Sequence, residues 1–219
     1  MDWPLLASLT ADERDRLLAC SRRRIFARGE VLVHEGDPAD SLHLVEEGRL
    51  AVRITTAAGD TATLNILGPG DYFGELSLLD AHSQARTATV SALERATTRS
   101  LSVSAFAELR RKHRAADQML LALMARRIEL LSNRLLEAMY DGLDRRVHRR
   151  LLELVRTYAD GSRGPVTVPV TQELLAELVG GTRPSVNQAL QRLVHDGCVE
   201  VGRGRITVIE PGRLARRVP

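Results

Sequence analysis

Residues 171–190 have the sequence TQELLAELVGGTRPSVNQAL, and this stretch decides the fold of the C-terminal third of the chain. Apolar side chains recur at spacings of three and four on both sides of the glycine pair at 180–181, which predicts two short helices joined by a turn. Thr171 and Thr182 are suited to cap these helices, and Pro184 fits only in a first helical turn. Together these features predict a helix-turn-helix.

The second of these helices is expected to present a polar face to the solvent or to a partner. In the major groove of DNA, arginine can read guanine, and asparagine or glutamine can read adenine, so such a face suits DNA. The face consists of Arg183, Pro184, Asn187, Gln188 and Gln191. A solvated face of a small helical domain would show the same residues, so this pattern alone leaves both interpretations open.

The chain beyond the second helix favours the DNA interpretation. Two short strands at 199–201 and 205–209, joined by a Gly-Arg-Gly turn at 202–204, predict a hairpin that would serve as a wing. The predicted DNA-binding residues are Thr171, Thr182, Arg183, Ser185, Asn187, Gln188 and Arg203.

The net charge of +3 over 219 residues is distributed unevenly. Residues 1–141 contain 18 basic and 20 acidic side chains, whereas residues 142–219 contain 13 basic and 8 acidic ones. Positive charge gathered in one region favours an anionic partner such as nucleic acid, although a solvated arginine-rich surface would give the same count.

Composition excludes several other classes of protein. With 44% hydrophobic and 27% charged residues, the chain can bury a core and is not disordered. The longest apolar stretch, residues 119–125, is far shorter than the roughly 20 residues of a membrane span, and residues 1–4 lack the features of a signal peptide. Cys20 and Cys198 are the only cysteines, which argues against a disulfide framework or a cysteine-rich metal site and for a reducing cytoplasm.

Residues 115–140 contain neither glycine nor proline, which predicts one long helix. Apolar residues recur in it at alternating spacings of three and four, the heptad pattern of a coiled coil, which predicts a parallel homodimer. The predicted dimer residues are Leu121, Met124, Ile128, Leu131, Leu135 and Ala138. The other interpretation is a helix packed on its own domain. Asp141 and Gly142 then end the helix and form a candidate hinge.

The N-terminal half of the chain has a different pattern. Residues 5–19 predict a short amphipathic helix. Short β-rich runs follow, separated by glycines about every ten residues, which predicts a sandwich or a small barrel. The predicted strands lie at 31–33, 42–45, 50–54, 61–67 and 87–90.

Two segments of this β-rich region carry candidate binding chemistry, FGELSLL at 73–79 and RTATV at 86–90. A glycine lets the backbone approach a ligand closely, and backbone amides in such a turn can bind an anion. Arg86 can pair with a phosphate, and Glu75 can accept a hydrogen bond from a ribose hydroxyl. From the residues alone, Glu75 and Arg86 could also form a structural ion pair.

Together these two segments resemble the phosphate-binding cassette of cyclic-nucleotide-binding domains. The resemblance implies that Glu75 holds the ribose 2′-hydroxyl and that Arg86 holds the cyclic phosphate. In the cyclic-AMP receptor branch, a Thr-Ser pair on the long helix contacts the adenine, and residues 131–132 lie at that position here. The implied ligand-binding residues are Gly74, Glu75, Leu76, Ser77, Arg86, Thr87, Leu131 and Ser132. Leu131 cannot replace the hydrogen bond of a threonine hydroxyl, so cyclic AMP, cyclic GMP and no ligand all stay open.

The order of elements along the chain resembles the Crp–Fnr family of bacterial transcription regulators over residues 6–214. The resemblance implies an α+β fold in three parts: an N-terminal double-stranded β-helix (jelly roll) that binds a cyclic nucleotide at 1–114, a dimerisation helix and hinge at 115–141, and a winged helix-turn-helix at 142–219. It implies a homodimeric, sequence-specific DNA-binding regulator without catalytic activity, metal or covalent cofactor, controlled by cyclic AMP or, as second choice, cyclic GMP. Its partners would be double-stranded DNA, a second copy of the chain and RNA polymerase, in the cytoplasm.

Several departures from the family pattern affect these expectations. Pro184 replaces a glutamate and Gln188 an arginine of the family's recognition helix, so we expect a non-standard operator. The cysteine cluster of the redox branch is absent, since only Cys20 lies near the N-terminus. Two further functions stay open: a ligand-independent DNA-binding regulator with a vestigial pocket, and a cyclic-nucleotide-binding module that acts on a protein partner.

Overall fold

The structure of the chain is a computed structural model, which describes the residues in the ranges 3–7, 9–56, 59–78, 85–112, 115–159 and 164–216. Residue 79, the last of the first predicted cassette segment, lies outside these ranges. The chain divides into two compact units, Met1–Ile54 with Leu67–Ser132, and Thr55–Ile66 with Asn133–Pro219. The architecture is α+β, as predicted.

Among the described residues of the N-terminal half, eight strands form two four-stranded sheets. The first sheet has the strand order β1-β8-β3-β6 and the second the order β2-β7-β4-β5. The strands are β1 (Arg22–Phe26), β2 (Val31–Val33), β3 (Ser41–Glu47), β4 (Leu50–Thr55), β5 (Thr61–Leu67), β6 (Tyr72–Phe73), β7 (Thr89–Ala92) and β8 (Ala96–Ser102). The five predicted strands coincide or overlap with five of these, whereas β1, β6 and β8 were not predicted.

Apolar side chains from both sheets fill one core between them. Phe26, Val45 and Phe73 contribute from the first sheet, and Leu50 and Val90 from the second. The first sheet also buries its outer face, so β3 has five consecutive buried residues. A second cluster covers that face; its members include Leu42, Leu44 and Leu101 of the sheet together with Trp3, Leu6, Phe106, Met119 and Leu123.

The predicted helix over 5–19 is wrong in its first half. A short 3₁₀ helix spans Pro4–Leu6, and α1 (Ala11–Ala19) begins only after Thr10. Thr10 and Glu13 form a reciprocal capping box, in which each side chain accepts a hydrogen bond from the other residue's backbone, so the helix starts there.

The long helix has the predicted bounds. Helix α2 (Val103–Lys112) follows the sheets, and α3 (Ala115–Tyr140) runs without interruption. One side of α3 packs on the second core cluster through Met119, Leu120 and Leu123. Of the predicted dimer residues, Met124 is half-buried against this cluster, whereas the following are exposed: Leu121, Ile128, Leu131, Leu135 and Ala138.

The C-terminal part of the chain contains the predicted helix-turn-helix and hairpin. The elements are α4 (Leu143–Tyr158), β9 (Val166–Val168), α5 (Gln172–Val179), α6 (Arg183–His195), β10 (Val199–Gly202), β11 (Arg205–Val208) and α7 (Pro211–Ala215). Helices α5 and α6 form the helix-turn-helix, and β10 and β11 pair as the wing, with β9 as the third strand of a small sheet.

We predict that Gly48→Ala lowers the free energy of unfolding by at least about 3 kcal/mol. Gly48 lies in the turn between β3 and β4 with φ +76°, and a Cβ there would collide with the Arg95 carbonyl oxygen and lie 2.7 Å from Ala96 Cα. The control is Gly29→Ala, since Gly29 has φ +82° but open space around it, so only about 1 kcal/mol of backbone strain is expected. Denaturant titration measures both, and equal losses would contradict the prediction.

Candidate functional site

The side chain of Arg86 is the centre of the candidate ligand site. Backbone hydrogen bonds tie this residue to the loop after β2, because Arg86 N donates to Asp37 O at 2.7 Å and Gly36 N donates to Arg86 O at 2.9 Å. The guanidinium is 5% exposed and donates to Ser41 O at 2.7 Å, to Ser41 Oγ at 3.0 Å and to Asp40 Oδ1 at 3.3 Å. The start of β3 therefore holds this arginine.

Gly74 lies directly against the Arg86 guanidinium. Its φ is +83°, and a Cβ on it would collide with Arg86 Nη1 and lie 2.6 Å from Ser41 O, so only glycine fits. Glu75 follows and begins the 3₁₀ helix Glu75–Leu78, in which Ser77 Oγ donates to Gly74 O at 2.6 Å. The structure thus brings the two predicted cassette segments together.

Two opposite charges are buried in this cluster. Arg86 Nε has no hydrogen-bond partner among the described residues, although the atom is inaccessible to solvent. Burial lowers the pKa of Arg86, while the carboxylates of Asp40, Asp37 and Glu75 oppose that effect. Glu75 is 7% exposed, and Arg127 Nε of α3 lies 3.9 Å from its Oε1. A buried arginine beside a buried carboxylate suits a ligand that carries both an anion and a hydroxyl.

The remaining predicted ligand residues occupy different environments. Leu76 and Thr87 are exposed at the edge of the cluster. Leu131 and Ser132 lie on the exposed side of α3. Their role in binding stays a prediction, and so do the ligand roles of the buried residues.

The sequence interpretation missed the residues that support Arg86. His43 of β3 is 1% exposed and stacks on Phe73, with the ring centroids 4.6 Å apart. Its Nε2 lies 3.3 Å from Ser41 Oγ and its Nδ1 3.1 Å from Thr98 Oγ1. Burial, followed by the charges of Arg86 and Arg24, lowers the pKa of His43 to about 4, against a smaller opposite effect of Asp40.

A single signal in the sequence pointed to this cluster. A histidine and a serine alternate with leucines at the start of β3, so they share a face of that strand. Nothing in the sequence showed that this face meets Arg86. Arg86 lies 45 residues after Ser41 in the chain, yet its guanidinium donates to the Ser41 carbonyl oxygen.

The candidate DNA face lies on α6 and the wing. Arg183, Gln188 and Arg203 are exposed, and Ser185 and Asn187 are half-buried. Their role in DNA binding stays a prediction. The two threonines act as predicted at the helix starts: Thr171 Oγ1 accepts from Leu174 N at 3.1 Å, and Thr182 Oγ1 from Ser185 N at 3.4 Å.

The described part of the chain contains neither a cluster of metal-binding side chains nor a membrane-spanning helix. Within it, no three His, Cys, Asp or Glu side chains come together as a metal ion would require. None of the helices described has the length and apolar character needed to cross a bilayer.

Two family models match most of the chain. Residues 23–113 match the cyclic nucleotide-binding domain, and residues 145–217 match the Crp-like helix-turn-helix domain. The first match contains the cassette around Arg86, and the second contains α5, α6 and the wing.

Individual proteins are similar over nearly the whole chain. The CRP-like cAMP-activated global transcriptional regulator of Mycobacterium tuberculosis is 31% identical over 88% of this chain and 86% of that protein. The cyclic AMP receptor protein of Thermus thermophilus is 32% identical over 96% of this chain and 94% of that protein. The crystal structure of the Thermus thermophilus catabolite activator protein aligns with a TM-score of 0.57 and 30% identity, covering 97% of each chain.

A more distant structure matches the fold alone. FixK2 from Bradyrhizobium japonicum aligns with a TM-score of 0.78 over 91% of this chain and 98% of its own, at 20% identity.

We predict that His43 makes the stability of the protein depend on pH. An unfolded histidine titrates near 6.5 and His43 near 4 in the folded protein, so between these values only the unfolded chain takes up the proton. The free energy of unfolding should therefore fall by about 3 kcal/mol as the pH drops from 6.5 to 4, with no further loss from this group below pH 4.

Denaturant titrations of the wild type and of His43→Phe across this pH range measure the effect. The variant keeps a ring against Phe73 but has no group that titrates, so its stability curve should be flatter. His195→Phe is the control and should keep the slope, because this exposed ring lies in α6, outside the cluster around Arg86. Equal slopes for the wild type and His43→Phe would contradict the prediction.

Proposed function

This chain belongs to the family of CRP-like transcription regulators, which bind DNA and are not enzymes, and we propose that it is a homodimer whose DNA binding is controlled by a cyclic nucleotide. Cyclic AMP is the first candidate and cyclic GMP the second. We also propose that the chain is divided into a sensor at 1–114, a dimerisation helix and hinge at 115–141, and a winged helix-turn-helix at 142–219.

The observation that carries the proposal is the buried guanidinium of Arg86 against Gly74. Burying an arginine is costly unless its donors are used, and Arg86 Nε has no partner among the described residues. A cyclic phosphate would supply acceptor oxygens to this group. Glu75 would then accept a hydrogen bond from the ribose 2′-hydroxyl, with Ser77 holding the turn through Gly74 O.

The base of the nucleotide would lie next to α3. Ser132 supplies a hydroxyl there, whereas Leu131 supplies only apolar surface. A base contact made by one hydroxyl instead of two discriminates less strongly between adenine and guanine, which is why cyclic GMP stays a candidate.

The exposed stripe of α3 supports a parallel homodimer. Ile128, Leu131 and Leu135 are more than half exposed in the single chain and follow a heptad spacing. Pairing with the same stripe of a second copy would remove this apolar surface from water. It would also place Ser132 of each chain at the interface, near the ligand of its partner.

Allosteric control requires that the ligand binds the DNA-competent state more tightly than the other state. We place the change at Asp141–Gly142, where Asp141 accepts from Arg149 at 3.0 Å and Glu137 of α3 pairs with Arg150 of α4 at 3.1 Å. A shift of α3 on ligand binding would rearrange these ion pairs and so reorient α4.

On DNA, the two recognition helices of the dimer would enter adjacent major grooves about one helical turn apart on a near-palindromic operator. RNA polymerase is the further partner that we propose, in the cytoplasm of a bacterial cell.

Two observations favour a ligand-independent regulator instead. Arg86 already has Ser41 and Asp40 as partners, and Leu131 lacks the hydroxyl expected at the base. In that case DNA affinity would not change with any cyclic nucleotide, which a gel-shift titration measures directly.

We predict that Arg86→Ala lowers the affinity for cyclic AMP at least about 100-fold, because two charge-assisted hydrogen bonds of roughly 1.5–3 kcal/mol each would be lost. Calorimetric titration with cyclic AMP and cyclic GMP measures the loss. Arg86→Lys keeps the positive charge but lacks the planar fork of the guanidinium. Its affinity for cyclic AMP should fall between those of the wild type and Arg86→Ala. Arg49→Ala is the control: Arg49 pairs with Glu94 at 3.0 Å outside the cassette, so less than about a twofold change is expected.

Equal binding heats for the wild type and Arg86→Ala would refute the cassette assignment. Two results together would support the ligand-independent regulator. Neither nucleotide would give binding heat with the wild type, and neither would change its affinity for DNA.

We predict that Leu135→Asp weakens the dimer at least about 100-fold, because two carboxylates would be buried at the seam without partners. Leu136→Asp is the matched control. Leu136 is the next residue of α3 and is 55% exposed against 60% for Leu135, but it lies outside the heptad seam. Sedimentation equilibrium measures the dissociation constants, and equal effects of the two variants would contradict a seam through Leu135.

A further inference from the structure

The first turn of α4 contacts the turn of the helix-turn-helix. A Cβ at Gly181, between α5 and α6, would lie 2.7 Å from Leu143 Cδ1. The Leu143 side chain therefore packs directly on the backbone of that turn, and any larger residue at 181 would push the two apart.

Arg146 also lies in the first turn of α4, and its side chain reaches the end of α5. Its Nη1 donates to Val179 O at 2.7 Å, and Gly180 follows with φ +61°, the left-handed conformation that ends the helix. The last carbonyls of a helix lack partners within it, and a positive charge is favourable there. Arg146 Nε is buried without a hydrogen-bond partner among the described residues, so this side chain is held in place at some cost.

The same turn of α4 also reaches α6. Asp144 Oδ1 lies 2.5 Å from Arg192 Nη2, in the last turn of the recognition helix. Leu143 thus contacts the turn, Asp144 contacts the end of α6, and Arg146 contacts the end of α5. Of these contacts, the hydrogen bond from Arg146 is the one that restrains the end of α5, because it is made to the carbonyl oxygen of Val179, the last residue of that helix.

We propose that Arg146 is a positioning residue for DNA recognition: through Val179 O it sets the angle at which α6 leaves the turn. Reading a base edge with two hydrogen bonds requires a donor–acceptor geometry that a small tilt of α6 destroys. Binding to phosphates tolerates such a tilt, because charge attraction is far less directional. Arg146 should therefore affect the specificity for an operator more than the affinity for DNA in general.

The experiment compares full-length Arg146→Met with the wild type. An operator duplex is first selected from random DNA by the wild-type protein. Affinities for this duplex and for a scrambled duplex are then measured at several salt concentrations under one fixed nucleotide condition. We expect Arg146→Met to lower operator affinity about 10-fold or more and to change scrambled-duplex affinity less than about twofold, with the same salt dependence.

Two further variants complete the test. Arg146→Lys keeps one donor for Val179 O and should restore most of the specificity. Arg145→Met is the matched control, because Arg145 is the neighbouring residue of α4 and pairs with Asp141 at 2.8 Å instead of the helix-turn-helix. It should leave the ratio of the two affinities unchanged.

Two results would overturn the proposal. If both affinities fall together and the salt dependence weakens by about one charge, Arg146 contacts a phosphate directly. If thermal stability falls while the ratio of affinities at low temperature stays at the wild-type value, Arg146 serves only the fold. The inference rests on DNA binding and not on a cyclic nucleotide. It can therefore fail while Arg86 still binds its ligand, and it can hold while Arg86 binds none.

Discussion

The contact between the Arg86 guanidinium and the backbone of Gly74 is the constraint around which the candidate ligand site is arranged. It requires a glycine with positive φ, because any Cβ would occupy the space of the guanidinium. It also requires the loop after β2 to follow the backbone of Arg86, and the start of β3 to supply acceptors. His43 completes this arrangement as a neutral ring, because its burial and, after that, the charge of the neighbouring Arg86 both lower its pKa. A phosphate ligand would enter a site whose positive charge is already in place, which lowers the cost of organising it on binding.

The helix-turn-helix shows a similar arrangement. Arg146 donates to the end of α5 next to Gly180, which has a positive φ, and Leu143 packs on the backbone of Gly181. In both parts an arginine donates to a main-chain carbonyl oxygen close to a glycine of positive φ. At Gly74 the close approach leaves no room for a Cβ, whereas a Cβ on Gly180 would lie at an ordinary contact distance of 3.6 Å from Arg146 Nη1. The consequence differs, since Arg86 lies in the candidate ligand site, whereas Arg146 links α4 to the end of α5. Because the first turn of α4 also follows the Asp141–Gly142 break, a change at that break would be transmitted to the recognition helix through few bonds.

The sequence predicted those elements best whose signals are local. Helix α3 has its predicted bounds because its 26 residues include no glycine or proline, and α5 and α6 begin where Thr171 and Thr182 cap them. Strand β1 was missed because four of its five residues are exposed, so its arginines show no alternation of polar and apolar positions. Strand β8 was missed because it buries Thr97 and Thr98 in place of aliphatic residues. The helix expected over 5–19 failed because an apolar pattern continued through Thr10, where the capping box sets the real start.

The sequence by itself determined the family, the order of the parts and the two motifs, because each motif lies within about twenty consecutive residues whose types and spacing are characteristic. It also predicted that Gly74, Glu75 and Arg86 belong to one ligand site. The contacts that hold Arg86 and the recognition helix became visible only in the folded structure. Ser41 accepts hydrogen bonds from Arg86, and Val179 accepts one from Arg146, and the residues of each pair are more than thirty positions apart in the chain. Such pairs depend on strand register and on the packing of one helix against another, and neither quantity is encoded in any local stretch of the chain.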